Sequence, residues 1–191
     1  DYVICDVIAG GTVNSYQNMS LKTEYSVPYL TFKDVKDIEF ASEMLVDFIE
    51  LPYVKNSEDV MSVTDMLISL KNDHTSVISK IECESAIDDI DDIIKVSDGV
   101  VIDRNNLGME VPMERIPGIQ KIIINKCLRM GKISIASTEM ILENGKTPTR
   151  IEVQDIANAS LDGCDAIMIS EYLDDMSAYL TTIRTIESIL K

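Results

Sequence analysis

The sequence predicts an α/β fold of parallel strands under helical cover, arranged as part of a (β/α) barrel. Three observations carry that reading. Apolar runs centred near Phe48, Ile78, Val100, Ile135 and Ile167 are each followed by a helical pattern, so strand and helix alternate along the chain. The runs are apolar on both faces, as strands covered from both sides are. Polar residues gather at the C-terminal ends of the runs, where open α/β sheets and barrels alike place their sites. An open doubly wound sheet would satisfy the same pattern. No GxGxxG or phosphate-loop motif stands at any strand-to-helix turn, which favours the barrel.

Composition bounds the function. The chain has 191 residues, enough for one sizeable domain with its own core, and 46% hydrophobic residues exclude a disordered chain. Seventeen basic residues against 33 acidic ones leave a formal net charge of −16. That field repels phosphate backbones and anionic bilayers, so neither nucleic acid nor membrane is an expected partner. A phosphorylated small substrate stays compatible where a local cation or metal offsets the field. No apolar run approaches about 20 residues. Cys5, Cys83, Cys127 and Cys164 form no CxxC pair and His74 is the one histidine, so zinc-ligand spacing is absent. A reducing compartment fits, the cytoplasm first, with an organelle left open. Asp1–Ile8 starts in mid-strand without an initiator methionine, and the chain reads as part of something longer.

The elements follow in order. Residues 2–8 alternate and reach the turn signal Ala9-Gly10-Gly11-Thr12, and 1–27 reads as a small β stub. Thr31-Phe32-Lys33-Asp34 resembles a capping box, opening a helix whose apolar stripe is Val35, Ile38, Phe40, Ala41 and Leu45. Val46–Leu51 is a strand. Asn56 caps a helix burying Val60, Val63, Met66, Leu67 and Leu70. A strand over 75–82 precedes a helix from Ser85 to Val96, with Asp88, Asp89, Asp91 and Asp92 facing solvent. Gly99–Ile102 is a strand, and a long helix runs from near Pro112 to Met130, stopped by Gly131. Ile133–Ala136 is a strand ending at Ser137-Thr138. A helix over Ile151–Leu161 ends at Gly163, Ala166–Ile169 is a strand, and 174–190 form the last helix.

The stretch from Thr75 to Gly108 organises the rest. Side chains alternate along a strand, so Lys80 and Glu82 share one face while Ile81 takes the other. A cation and a carboxylate on one face at a strand's end are poor core residues and good ligands for a phosphate and a metal. Taken alone, the pair would equally be a satisfied ion pair.

SKIE at 79–82, SDGVVIDRNNLGMEVP at 97–112, Gln120-Lys121, IASTEM at 135–140 and TPTRIEVQDIANASLDGCDAIMIS at 147–170 together resemble the pyruvate kinases. Order and spacing run without large gaps from about residue 3 to 170. The resemblance implies a partial (β/α)8 TIM barrel of pyruvate kinase type over 28–191, about five of its eight strands, with 1–27 a remnant of the lid-domain strands.

It also implies a reaction: transfer of a phosphoryl group between phosphoenolpyruvate and ADP, giving pyruvate and ATP, with magnesium (or manganese) and potassium. Such transfer needs charge compensation and alignment more than covalent help. Lys80 matches the lysine that steadies the transferring phosphoryl group, and Glu82 a metal ligand. Thr138 matches the threonine near the carbon that is protonated, and the turn at Asn105-Asn106 the amides that hold the substrate carboxylate. Arg104 either binds substrate or braces that turn. The family's potassium ligands lie outside this stretch, and the family's tetramers imply a homo-oligomer.

The match departs from the family at the turn itself. Where the family has Ala-Arg-Gly-Asp-Leu-Gly, this chain has Asp103-Arg104-Asn105-Asn106-Leu107-Gly108. The second metal carboxylate is thus an amide at Asn106, Asp103 offers a substitute one turn position away, and Asn105 adds bulk where glycine allows close approach. Glu139 replaces a glutamine, Ser170-Glu171-Tyr172-Leu173 a Ser-Gly-Glu-Thr, and no serine stands at Leu51-Pro52. A second reading, of a different class, follows from these changes: a catalytically degenerate relative that keeps the barrel as an interaction or regulatory body. A metal-dependent aldolase or lyase acting on pyruvate is a third.

Overall fold

The computed structural model describes residues 6–8, 10–12, 28–142, 146–169 and 176–191. Among them, five strands and their helices follow one another strictly. Helix α1 (Phe32–Glu43) precedes β1 (Phe48–Leu51), α2 (Ser57–Ser69) and β2 (Ser76–Ile81). Two short helices, α3 (Glu84–Asp88) and α4 (Ile90–Val96), lead to β3 (Gly99–Ile102) and a single turn, α5 (Arg104–Leu107). A 3-10 turn (Met113–Arg115) enters α6 (Ile116–Met130), then come β4 (Ile133–Thr138), α7 (Arg150–Leu161), β5 (Ala166–Ile169) and α8 (Met176–Leu190).

All four strand pairings are parallel, and spatial order equals chain order, β1-β2-β3-β4-β5. A doubly wound sheet reverses its order at a switch point; this one does not. Right-handed crossovers stepping always in one direction lay every helix on the same side of the sheet. The helices accordingly pack as neighbours, α2 on α4, α4 on α6 and α7 on α8, and the sheet curls into half a barrel. Between sheet and helices lies the core. Val77 and Ile81 of β2 and Val100 and Ile102 of β3 meet Val60, Val63, Leu67, Ile93, Ile94 and Ile123 there. Each fully buried side chain of this size contributes about 1.5–3 kcal/mol.

Local signals place most elements. Thr31 closes a reciprocal capping box with Asp34, and Asn56 accepts from the Asp59 N–H at the start of α2. Thr149 forms a second capping box with Glu152, which the sequence reading passed over. The apolar stripe of α1 is narrower than expected: Ile38 is its buried residue, and Phe40 is 63% exposed. Two residues past Ile38 is about 200° round the helix, on the opposite face. Leu45, 66% exposed, lies beyond the helix end at φ 52°, and Leu70 caps α2 rather than entering the core.

The single helix expected over Ser85–Val96 is two, broken at Asp89. Asp89 does not face solvent with its acidic neighbours. Its carboxylate accepts the Ser57 N–H at 2.7 Å and ties the start of α2 to the break. Asp88, Asp91 and Asp92 are exposed as expected. Residues 6–8 and 10–12 take no strand; the rest of the expected lid stub, and Ser170-Glu171-Tyr172-Leu173, lie outside the described residues.

Candidate active site

Alternation along β2 turns Val77, Ser79 and Ile81 towards the helices, where the Ser79 hydroxyl meets that of Ser97 at 2.6 Å. Ile78 and Lys80 therefore face the inner wall. The β2–β3 register pairs Lys80 with Val101 and Ile81 with Ile102, and the Asp103 N–H continues the ladder to the Ile81 carbonyl. One step further along, Glu82 stands level with Asp103. Sheet register thus brings together two carboxylates 21 positions apart.

Lys80 Nζ lies 3.0 Å from Glu82 Oε1 and 3.0 Å from Asp103 Oδ2, with Glu50 Oε1 at 3.7 Å. Asn106 Nδ2 donates to the same two oxygens, at 2.7 and 3.1 Å. Each carboxylate keeps its other oxygen for a backbone N–H: Glu82 Oε2 accepts from Tyr53 at 2.7 Å, and Asp103 Oδ1 from Asn106 at 3.2 Å. The side chains of Glu82 and Asp103 are only 1% and 5% exposed. Two desolvated anions beside one ammonium are tolerable because every oxygen has a donor.

Burial opposes charge on both partners of the central pair, and both are charged nonetheless. For Lys80, hydrogen bonds and charge from Glu82 and Asp103 outweigh burial and hold the ammonium well above the usual lysine range. For Asp103, burial is outweighed by the Asn106 N–H and by Lys80, so its carboxyl sits below the ordinary carboxylate range. Tyr53 holds its N–H on Glu82 from a left-handed backbone (φ 51°), a conformation that costs a non-glycine residue energy.

Arg104, Asn105 and Thr138 stand apart from this cluster and line one cavity of about 550 Å³ beside it, with Gln120, Lys121, Glu139 and Asp155. Thr138 is buried at the end of β4, its Oγ1 accepting the Met140 N–H at 3.2 Å. Asn105 is exposed on the helical turn α5, and its φ is not positive, so replacing a glycine there leaves no backbone strain. The Arg104 guanidinium is held by both oxygens of Asp155 and by the Ser137 carbonyl. These contacts support the bracing role of the two the sequence left open, and Arg104 lines the cavity as well. Leu51-Pro52 brings no hydroxyl; the Pro52 carbonyl accepts from Tyr29 OH at 2.8 Å. Sequence reasoning missed the Tyr53 N–H, Ser137 and Asp155. The DIANA segment around Asp155 carries part of the family resemblance, but nothing in it signals a partner 51 residues away.

Among the described residues, no group of three or more His, Cys, Asp or Glu is arranged to hold a metal ion. Glu82 Oε1 and Asp103 Oδ2 nevertheless form a converging pair of hard anionic oxygens. A half-turn of the Asn106 amide would add a third oxygen. Magnesium commonly takes one or two carboxylates and completes its shell with water and substrate phosphate. The donor set therefore fits such an ion.

The family model described as pyruvate kinase, barrel domain, matches residues 1–174. A pyruvate kinase of Clostridium perfringens is 42% identical over 171 residues, which is 88% of this chain and 36% of that protein. Those of Clostridium acetobutylicum and Staphylococcus saprophyticus are each 38% identical over the same share of this chain, covering 36% and 29% of their own lengths. The chain spans about a third of the length of these curated relatives.

Proposed function

This chain belongs to the pyruvate kinase family, and from that premise we propose that it carries the phosphoryl-transfer site of an enzyme converting phosphoenolpyruvate and ADP to pyruvate and ATP. The observation that carries the reading is the convergence of Glu82 and Asp103 on Lys80 and Asn106 at the C-terminal ends of adjacent parallel strands. That is the rim on which barrel enzymes place their chemistry.

Glu82 and Asp103, with the Asn106 amide, would hold magnesium or manganese, which supplies charge compensation to the phosphoryl oxygens when bound. Asp103 restores the second anion that Asn106 lacks. Lys80, whose ammonium sits on the same two carboxylates, would supply the cation that steadies the transferring group. A fixed cation at a desolvated site is worth far more there than in water. The backbone of the α5 turn at Asn105 and Asn106 is the proposed seat of the substrate carboxylate, and Thr138 is the proposed neighbour of the carbon that is protonated. Potassium, a homotetramer, a place in glycolysis and the cytoplasm are proposed on the family resemblance. Among the described residues, Cys83, Cys127 and Cys164 are free thiols. Among the described residues, no helix is long and apolar enough to cross a membrane.

The test is a coupled assay of pyruvate formation by the full-length protein across a magnesium titration. Saturable, metal-dependent turnover is expected. Absence of both turnover and substrate-coupled metal binding at millimolar metal would remove the reading in favour of the degenerate barrel.

A further inference from the structure

We propose that Asp155, on α7, is a positioning residue for the α5 turn and sets the affinity of the rim for substrate and metal without touching either. The inference rests on the function proposed above. The α5 turn is four residues long, too short to hold its own shape. Its first residue, Arg104, anchors it from two directions. The Arg104 N–H donates to Ser137 Oγ at 3.3 Å, and the guanidinium donates to the Ser137 carbonyl and to both oxygens of Asp155, Nη2 to Oδ2 at 2.7 Å. This fork-to-fork pairing fixes orientation as well as distance, which a lysine in the same place would not. Arg104 and Asp155 are 81% and 66% covered, so water screens the pair only in part.

The geometry runs onward from the brace to the rim. Asn106, two residues beyond Arg104, places its side-chain nitrogen on Glu82 and Asp103 and its N–H on Asp103. A turn that shifts therefore moves both Asn106 donors of the cluster and the amides beside them. Among the described residues the Asp155 carboxylate is held by Arg104 alone, and it caps no helix: Thr149 and Glu152 cap α7. Its carboxylate serves the turn.

The experiment compares Asp155→Asn, Asp155→Glu and Arg104→Lys in the full-length protein, with Asp91→Asn as a control. The control removes the exposed Lys126–Asp91 pair between α4 and α6, away from the rim. Half-saturation by phosphoenolpyruvate and by manganese, kcat and thermal midpoint are read for each. Asp155→Asn should raise both half-saturation values about 10-fold, the size seen when a group supporting a ligand is lost. Asp155→Glu should recover part of that loss, and Arg104→Lys should reproduce it. Asp91→Asn should match wild type. Half-saturation values within twofold of wild type in both Asp155→Asn and Arg104→Lys overturn the inference. So does a loss that follows the thermal midpoint alone and leaves half-saturation unmoved. A wild-type protein with neither turnover nor manganese binding instead overturns the proposed function and takes this inference with it.

Discussion

At the N-terminal ends of the strands, Asp98 and Asp165 each bind the start of one neighbouring strand. Asp98 accepts the Val77 N–H at 2.8 Å while its own N–H donates to the Val77 carbonyl, and Asp165 does the same with Ser134. At the C-terminal ends, Glu82 and Asp103 are also carboxylates level with a neighbouring strand, yet they converge on one ammonium and one amide. The difference is one of surroundings. The lower pair are exposed residues, each satisfied by a single strand start, so they register the sheet and bring no concentrated charge. The upper pair are desolvated and share their donors, so removing any member leaves the others unbalanced. Carboxylates at one end register neighbouring strands, and at the other they concentrate charge on one ammonium and one amide.

The largest break in this comparison should come from Lys80→Met. Turnover in a coupled assay should fall on the order of 1,000-fold, as for loss of a preorganised charge at a reacting group. The variant should also lose about 3 kcal/mol of stability in urea, because two buried carboxylates are left facing each other. Turnover within tenfold of wild type would erase the distinction between the two ends. Next, Asp103→Ala should cut metal-dependent turnover about 100-fold and weaken the magnesium half-saturation. Asn106→Asp in that background should return part of the metal binding, and no recovery would mean that charge is not what Asp103 supplies.

The lower end predicts the reverse pattern. Asp98→Ala should cost about 1 kcal/mol of stability in urea, one hydrogen bond to a strand start, and leave kcat/KM unchanged. A changed kcat/KM would break the comparison from below. The smallest effect concerns pH. The folded Asp103 carboxyl lies below its ordinary value of 3.8, so its stabilising contribution is whole above that value and is lost as pH falls beneath it. Lys80, raised above 10.5, keeps its contribution below that value and loses it only at still higher pH. Urea midpoints of Asp103→Asn should therefore fall less steeply than wild type below about pH 4; parallel curves would place the acid sensitivity elsewhere.

Much of the fold was legible because its signals are local. Alternating apolar runs, the Thr31 and Asn56 caps and the Gly131 stop each act within a few residues, and Gly131 does end α6 in a left-handed conformation (φ 66°). What misled was also local: Phe40 and Leu45 fit an apolar stripe by composition but fall off the buried face by angle and by helix length. Asp89 was read as one more solvent-facing acid because nothing near it announces Ser57 as its partner. At the site, period-2 alternation was enough to put Lys80 and Glu82 on one face. That Asp103 completes their cluster needed the strand register as well.

By itself, then, the sequence determined the succession of strands and helices, the parallel layout, the family and the face on which Lys80 and Glu82 lie, because propensity, capping and alternation are set by neighbours along the chain. Only the tertiary structure decided that Glu82 and Asp103 share two donors, that Arg104 is taken up by Asp155 and Ser137, and that Thr138 stands beside a separate cavity. Those relations join residues 21 to 51 positions apart, and they are fixed by sheet register and helix packing, which no local pattern encodes.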